Sequence, residues 1–357
     1  MPKIVILGAG VMGSAFSVPL ADNGHSVRLV GTHLDVDIIA ALRRERFHPR
    51  LKVHLPTSVA PYAHSELGEA TRGADLVIVA VNSAGVDWAA EKLSAIVPLD
   101  LPIVMLTKGL RGDGDTLDIL PRVLRAQLPS SYRGQVCTVR GPSIAGELAV
   151  RRETSVVLTC PDPAVFDRLS GWLRTAYYHV WPNSDLIGVE VCAALKNLYS
   201  LGVGVVSGML ERSPGVENEA KMHNPAAALF AEALFEITHV VTAMGGHERS
   251  IWMLPGAGDF YVTCAGGRNV RMGRWMGLGL SYREAKARYM SEETVEGAET
   301  AFAIGPTVEN MIKRGVLEAD SLPLMRSILD MVCHDAPARI PWDHFFASPI
   351  PRRVDAL

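Results

Sequence analysis

The sequence predicts an α/β domain built on a parallel sheet and followed by an all-helical domain, on three observations. Short Val/Ile/Leu-rich runs alternate with helix-length segments through the first half, a glycine-rich turn closes the first run, and beyond about Asp185 long Ala/Leu/Met-rich stretches at helical period dominate. The change falls near residues 183–187, after Trp181-Pro182-Asn183, giving domains of 1–184 and 185–357. At about 100–200 residues per domain, each half can bury its own core.

Strands are expected at residues 3–7, 26–30, 76–81, 103–107, 136–140, 154–159 and 177–181, with helices between them at 11–23, 36–46, 83–96 and 116–128. Alternation at this spacing implies βαβ units and a sheet covered on both faces. No strand is expected after Asp185, no repeat is visible, and residues 351–357 read as a loose tail. The stretch 186–210 is long enough to span a bilayer, but Glu190, Lys196, Asn197, Gly202, Gly204 and Gly208 interrupt it. It reads as a buried helix, and the four apolar residues before Gly8 are too few for a signal-peptide core.

Composition narrows the partners. With 35 Lys+Arg against 38 Asp+Glu, the formal charge is −3, so nucleic acid and anionic membrane surfaces are not expected. The 5 cysteines, Cys137, Cys160, Cys192, Cys264 and Cys333, are odd in number, far apart and without a CxxC pair. They read as free thiols of a reducing, cytoplasmic compartment, and no metal site is expected.

Gly8-Ala9-Gly10-Val11-Met12-Gly13 lies directly after a strand and before a helix. Gly8 permits the tight turn, Gly10 lets the backbone approach a pyrophosphate, and Gly13 allows close helix–strand packing, while the helix N-terminus offers unpaired N–H donors. The pattern reads as a Rossmann-type dinucleotide site, although a glycine-rich turn with no ligand accounts for the same residues. The second strand ends Val30-Gly31-Thr32-His33, with no carboxylate before Asp35, so a 2′-phosphate meets no repelling acid. Arg28, Arg43 and Arg44 are candidates to approach that phosphate.

Further along, Lys108 follows a strand and would point into the crevice of an open sheet, although an ordinary surface lysine accounts for the same residues. Gly141-Pro142-Ser143-Ile144-Ala145-Gly146-Glu147 suits a helix start with Ser143 in an N-cap-like position, which needs no function. Lys196 and Asn197 stand inside an apolar helix; a buried lysine there is either paired structurally or catalytic. Asp259 is one acid among glycines and apolar residues, Gly266-Gly267-Arg268-Asn269 puts a fork-shaped cation beside flexible backbone, and Glu296 in Val295-Glu296-Gly297 suits a helix start.

The order and spacing of these islands, GxGxxG, KG, GPSxAxE, GVExxxALKN, GAGDxxxT, GRN and VEG, resembles the NAD(P)-dependent glycerol-3-phosphate dehydrogenases from Lys3 to about Gly297. The resemblance implies reversible reduction of dihydroxyacetone phosphate to sn-glycerol 3-phosphate, a precursor of glycerophospholipids, using NAD or NADP, with NADPH use expected. It implies that Lys196 donates and accepts the proton, Asp259 orients it, and Lys108 contacts cofactor and substrate. On the substrate side it also implies Gly141, Ser143, Asn197, Gly267, Arg268 and Asn269. On the cofactor side it implies Gly8, Gly10, Val11, Met12, Gly13 and His33, together with Ala145, Arg268 and Glu296. Met12, Ile144 and Gly267 depart from the Trp or Phe, Phe and Ser common in such proteins, and residues 209–224 form a longer, more polar segment. A homo-oligomer is compatible with the pattern. Two other readings share parts of it: a ketopantoate-type or other hydroxyacid reductase, and a non-catalytic dinucleotide sensor that would have no reason to combine Lys108, Lys196 and Asp259.

Overall fold

Eight strands form one sheet: β1 (Lys3–Leu7), β2 (Ser26–Val30), β3 (Val59–Tyr62), β4 (Leu76–Val79), β5 (Ile103–Met105), β6 (Val136–Arg140), β7 (Thr154–Thr159) and β8 (Tyr178–Asn183). The computed structural model describes residues 1–213 and 223–345. The tail at 351–357, and residues 214–222 of the polar 209–224 segment, lie outside the described residues.

The spatial order is β8-β7-β6-β5-β4-β1-β2-β3. Ile4 and Ile6 of β1 join Val27, Leu29 and Ile78 in one core, whereas Val5 and Leu7 join Val77, Val79 and Met105 in another. Successive side chains point to opposite faces, so a strand apolar at every position is one buried on both. Because β1 lies between β2 and β4, strand order reverses there, and the crevice at its carboxyl end is the topological switch point where open sheets bind ligands.

Three local expectations need correction. The sheet is not wholly parallel, since β6 and β7 pair antiparallel. Their connection holds only a five-residue helix, Ala145–Ala149, about 7.5 Å long at 1.5 Å per residue and too short to return the chain along a strand. The 11-residue helix Pro163–Leu173 does return it, and β8 is parallel to β7. Strand β3 went unread because it is four residues with Pro61 inside; it sits at the sheet edge, where a missing N–H is tolerated. The helix expected at 116–128 is confined to Leu120–Gln127 with Pro121 in its first turn. Residues before it make a hairpin, Leu110–Gly112 with Leu117–Ile119, whose turn is tied by Asp113 Oδ1 accepting from the Asp115 and Thr116 amides at 2.8 and 2.7 Å.

The chain divides into two units, Met1–Lys108 with Ile119–Glu190, and Gly109–Asp118 with Val191–Leu357. In the second unit the Gly114 amide donates to Thr307 Oγ1 at 2.9 Å and Asn310 Nδ2 donates to the Gly114 carbonyl at 2.7 Å, which ties the hairpin turn to the Glu296–Lys313 helix.

The Leu186–Arg212 helix is buried throughout its most apolar window, as its interrupted composition predicts. His223–Ala243 is also long and apolar enough to cross a membrane, with 44% of its window buried, and it keeps both of its carboxylates, Glu232 and Glu236, inside. Glu236 accepts from the Leu324 and Met325 amides at 2.6 and 2.7 Å and from Tyr199 Oη at 2.8 Å. The glycines that interrupt Leu186–Arg212 are packing devices. A Cβ on Gly204 would lie 2.2 Å from the Val270 carbonyl and one on Gly208 2.0 Å from that of Arg274; on the facing helix, Gly273 and Gly277 would meet Leu201 and Val205 carbonyls at 2.0 and 2.1 Å. Backbone against backbone brings the Arg268–Gly277 helix close enough for its first residues to reach Asn197.

Candidate active site

In the first unit the glycine loop stands at the end of β1. Gly8 has φ +116°, and a Cβ there would lie 2.7 Å from the Ala80 carbonyl, so the turn excludes any side chain. A Cβ on Gly13 would lie 2.1 Å from the Gly8 carbonyl, the close helix–strand packing expected of it. Gly10 has nothing within 4 Å of its Cβ position and precedes the Val11–Asp22 helix, whose first turn carries no acid. That open, electropositive end suits a pyrophosphate. Val11 is exposed, Met12 packs against the core, and His33 is exposed, its ring 6.0 Å from that of Trp88.

The arginines proposed for the 2′-phosphate are engaged otherwise. Arg28 donates to the Ala70 and Arg72 carbonyls at 2.6 and 2.9 Å, Arg43 pairs with Glu66, and Arg44 with Glu45 at 2.7 Å. Asp35 is buried and faces inward, accepting from the Thr32 amide and hydroxyl at 2.8 Å each.

Lys108 is half-buried. Its approach is fixed by Thr107, whose hydroxyl donates to the Val81 carbonyl at 2.7 Å and whose carbonyl accepts from Arg140 Nη2 at 2.5 Å. Gly141 follows at φ +132°. Ser143 is not the helix cap: the helix begins one residue later, with Ile144 at the N-cap and its carbonyl accepting from the Leu148 amide at 2.9 Å, and Ala145 is the first helical residue. The Ser143 hydroxyl is buried and makes no hydrogen bond to any of the described residues, so it suits a ligand contact.

In the second unit the residues from separate islands converge. Lys196 is 3% exposed; its Nζ donates to Thr263 Oγ1 at 2.6 Å and Asn197 Oδ1 at 3.2 Å, and lies 3.2 Å from Asp259 Oδ1. Asp259 and Thr263 stand one turn apart on the short Asp259–Cys264 helix, where Thr263 Oγ1 donates to the Asp259 carbonyl at 2.7 Å. Thr263 closes the GAGDxxxT pattern but receives no role from the sequence; its signal is the four-residue spacing from Asp259, which puts both on one face. Asn197 Nδ2 donates to Glu296 Oε2 at 3.1 Å, and Glu296 Oε1 lies 3.0 Å from Arg268 Nη2. Asn269 donates to Asn197 Oδ1 at 3.2 Å and accepts from the Gly297 amide at 2.9 Å. Gly267, at φ +100°, is the N-cap of the Arg268–Gly277 helix and Glu296 opens the Glu296–Lys313 helix. Burial pushes the Cys264 thiol up to about 12 despite the Lys196 charge, leaving it neutral beside the lysine.

The lysine is thus buried, oriented by a carboxylate and a hydroxyl, and linked through Asn197 and Glu296 to an exposed arginine. The descriptions of two matching family models are the N-terminal and C-terminal portions of NAD-dependent glycerol-3-phosphate dehydrogenase, over residues 3–166 and 185–340. An NADP(+)-dependent glycerol-3-phosphate dehydrogenase of Archaeoglobus fulgidus is 34% identical over 303 residues, 84% of this chain and 87% of that one. This chain belongs to the NAD-dependent glycerol-3-phosphate dehydrogenase family. A second family member, the glycerol-3-phosphate dehydrogenase [NAD(P)+] of Lysinibacillus sphaericus, is 30% identical over 100% of this chain and 99% of its own. Among solved structures, glycerol-3-phosphate dehydrogenase of Coxiella burnetii superposes with a TM-score of 0.80 at 25% identity, covering 94% of this chain and 95% of that one. Family membership makes the chain an oxidoreductase that uses NAD or NADP.

Proposed function

We propose that this chain reduces dihydroxyacetone phosphate reversibly to sn-glycerol 3-phosphate in the cytoplasm, supplying a glycerophospholipid precursor, and that it accepts NADPH as well as NADH. The observation that carries the reading is the Lys196 cluster: an ammonium whose donors already face Thr263, Asn197 and Asp259 can turn one of them to a substrate oxygen without reorganising its surroundings. Bound reduced nicotinamide supplies the hydride. Lys196 then stabilises and protonates the alkoxide that develops at C2, while Asp259 keeps the ammonium aimed. Arg268 clamps the substrate phosphate, with Gly267 and Asn269 beside it, and so turns remote binding energy into orientation of the carbonyl. Gly8, Gly10 and Gly13 cradle the pyrophosphate; Val11, Met12, His33, Lys108, Ala145 and Glu296 border the cofactor, and Gly141 and Ser143 border the substrate. NADPH acceptance is supported by the inward turn of Asp35, which leaves no free carboxylate between Val30 and that residue.

The test follows nicotinamide absorbance with dihydroxyacetone phosphate and each reduced cofactor, with ketopantoate and simple 2-oxo acids as alternatives. Turnover confined to the phosphorylated ketone supports the reading. Faster turnover of an oxo acid would replace it with a hydroxyacid reductase, and binding of cofactor without any turnover would favour a sensor.

A further inference from the structure

Asp35 occupies the N-cap of the Val36–Glu45 helix yet makes no capping bond to it. An aspartate at that position ordinarily accepts from the helix's own first amides. Here the carboxylate is turned away, and one oxygen, Oδ2, accepts from the Thr32 amide, the Thr32 hydroxyl and, at 3.2 Å, the amide of Ala9. Ala9 is the residue between the first two glycines of the dinucleotide loop, and it is wholly buried.

The carbonyl of Ala9 is held as well. His48, on the two-residue strand Phe47–His48, is also wholly buried, and its Nε2 lies 3.1 Å from the Ala9 carbonyl. A carbonyl can only accept, so Nε2 carries the proton. The opposite nitrogen, Nδ1, accepts from the Arg50 and Leu51 amides at 3.2 and 3.1 Å, so it is bare. The ring is therefore the neutral Nε2–H tautomer, fixed by three backbone groups. Ser14 Oγ also donates to the Ala9 carbonyl at 3.0 Å, but from the helix that the loop itself begins; His48 and Asp35 arrive from 39 and 26 residues away.

We propose that His48 and Asp35 are positioning residues that clamp Ala9 from both sides and thereby preset the glycine loop for the dinucleotide, and that Asp35 serves this clamp instead of selecting NADH at the ribose. The inference rests on the family's use of a nicotinamide cofactor. A glycine-flanked loop has wide conformational freedom, and ordering it on binding would cost affinity. Tying the residue between Gly8 and Gly10 to two buried side chains removes that freedom before the ligand arrives. Because the Asp35 carboxylate is committed inward, both cofactors meet the same loop.

The test is a fluorescence titration of NADH and NADPH binding to the full chain without substrate, alongside melting temperature and steady-state kinetics. Two amides split the histidine's roles. His48→Gln keeps a donor near the Nε2 position, and His48→Asn keeps an acceptor near Nδ1. The clamp predicts that His48→Gln binds both cofactors nearly as wild type does, whereas His48→Asn weakens both about tenfold, the equivalent of one lost hydrogen bond. Kcat at saturating cofactor and KM for the ketone substrate should stay within about threefold of wild type, because the loop carries no proton. A histidine needed only for the local turn at Arg50 and Leu51 would give the reverse order, and that result overturns the clamp. For the acid, Asp35→Ala should weaken NADH and NADPH equally, and Asp35→Asn, which retains one acceptor oxygen, should recover most of the loss. Weakening of NADH alone would assign Asp35 to the ribose and overturn its part. Wild-type binding with unchanged variants overturns the clamp alone; a wild type that binds neither cofactor overturns the cofactor reading of the loop with it.

Discussion

Arg140 Nη2 lies 2.6 Å from Glu190 Oε2, and neither side chain has any exposed surface. Burial drives the Glu190 carboxyl upward, and the Arg140 charge opposes that drive, with Lys108 adding to it. The guanidinium also donates to the Met105, Val139 and Thr107 carbonyls at 2.8, 2.7 and 2.5 Å. It therefore joins the ends of β5 and β6, the approach to Lys108 and the start of the Leu186–Arg212 helix, all within the first unit. Arg140→Met strands three carbonyls and a buried carboxylate, and should cost about 3–5 kcal/mol of stability. Glu190→Gln keeps an acceptor for the guanidinium and should cost less. Denaturant midpoints for the two variants decide the matter, and the opposite order would show that Glu190 is held by something other than Arg140.

Lys196→Met should lower kcat by about 10²–10⁴ while leaving cofactor affinity near wild type, since a general acid is lost and the glycine loop is untouched. Asp259 is left buried without its cation, so melting temperature must be followed in parallel. A folded variant that keeps more than about a tenth of wild-type kcat would make Lys196 a structural lysine.

Arg268→Ala should lower kcat/KM for dihydroxyacetone phosphate at least about tenfold, the equivalent of one charge-assisted contact. With unphosphorylated dihydroxyacetone, already a very poor substrate, the further loss should be small. Arg268→Lys should not restore activity, because lysine lacks the planar fork. Equal losses on both ketones would assign Arg268 to the cofactor or to its partner Glu296.

Gly273→Ala places a Cβ 2.0 Å from the Leu201 carbonyl, on a helix with no room to retreat. It should destabilise the chain by about 1–3 kcal/mol and, by pushing Asn269 from Asn197, raise KM for substrate. Gly171→Ala is the contrast: it is helical, exposed and has nothing within 4 Å of its Cβ position, so the same change should be neutral or stabilising by up to about 1 kcal/mol. Melting temperatures of the two variants check the pair.

Stability should fall on the acid side through His48. Burial holds its imidazole below the ordinary range, and a base whose pKa is lowered on folding adds stability that is complete above the unfolded value near 6.5 and lost as pH falls through the folded one. His25, lowered by burial in the same way, acts with the same sign. His48→Gln has no proton to take up there, so between about pH 7 and pH 5 it should lose less stability than wild type. Urea midpoints across that range measure the difference, and parallel curves would show that His48 does not titrate with unfolding.

Much of this protein is local, and the sequence by itself determined that much. A strand followed by Gly8-Ala9-Gly10-Val11-Met12-Gly13 and a helix specifies the dinucleotide loop because the positive φ of Gly8 and the contact between Gly13 and the Gly8 carbonyl lie within the loop itself. The alternation of apolar runs with helical segments determined a sheet buried on both faces, and the polar residues in 186–210 determined a core helix. Tertiary structure decided what depends on partners distant in the chain. β7 runs antiparallel because a five-residue helix cannot return the chain, and β3 counts as a strand because β2 offers it an edge. Lys196 meets Thr263 and Asp259, more than 60 residues away, only in the folded chain, and Asn269 meets Asn197 where Gly204, Gly208, Gly273 and Gly277 let two helices touch backbone to backbone. Asp35 is the first carboxylate after the second strand and stands at a helix N-cap, yet it accepts from the amide of Ala9, 26 residues away, and is turned inward. Periodicity and spacing report the conformational preferences of neighbours, whereas the aim of a buried polar group is set by whichever donors and acceptors the fold leaves within reach.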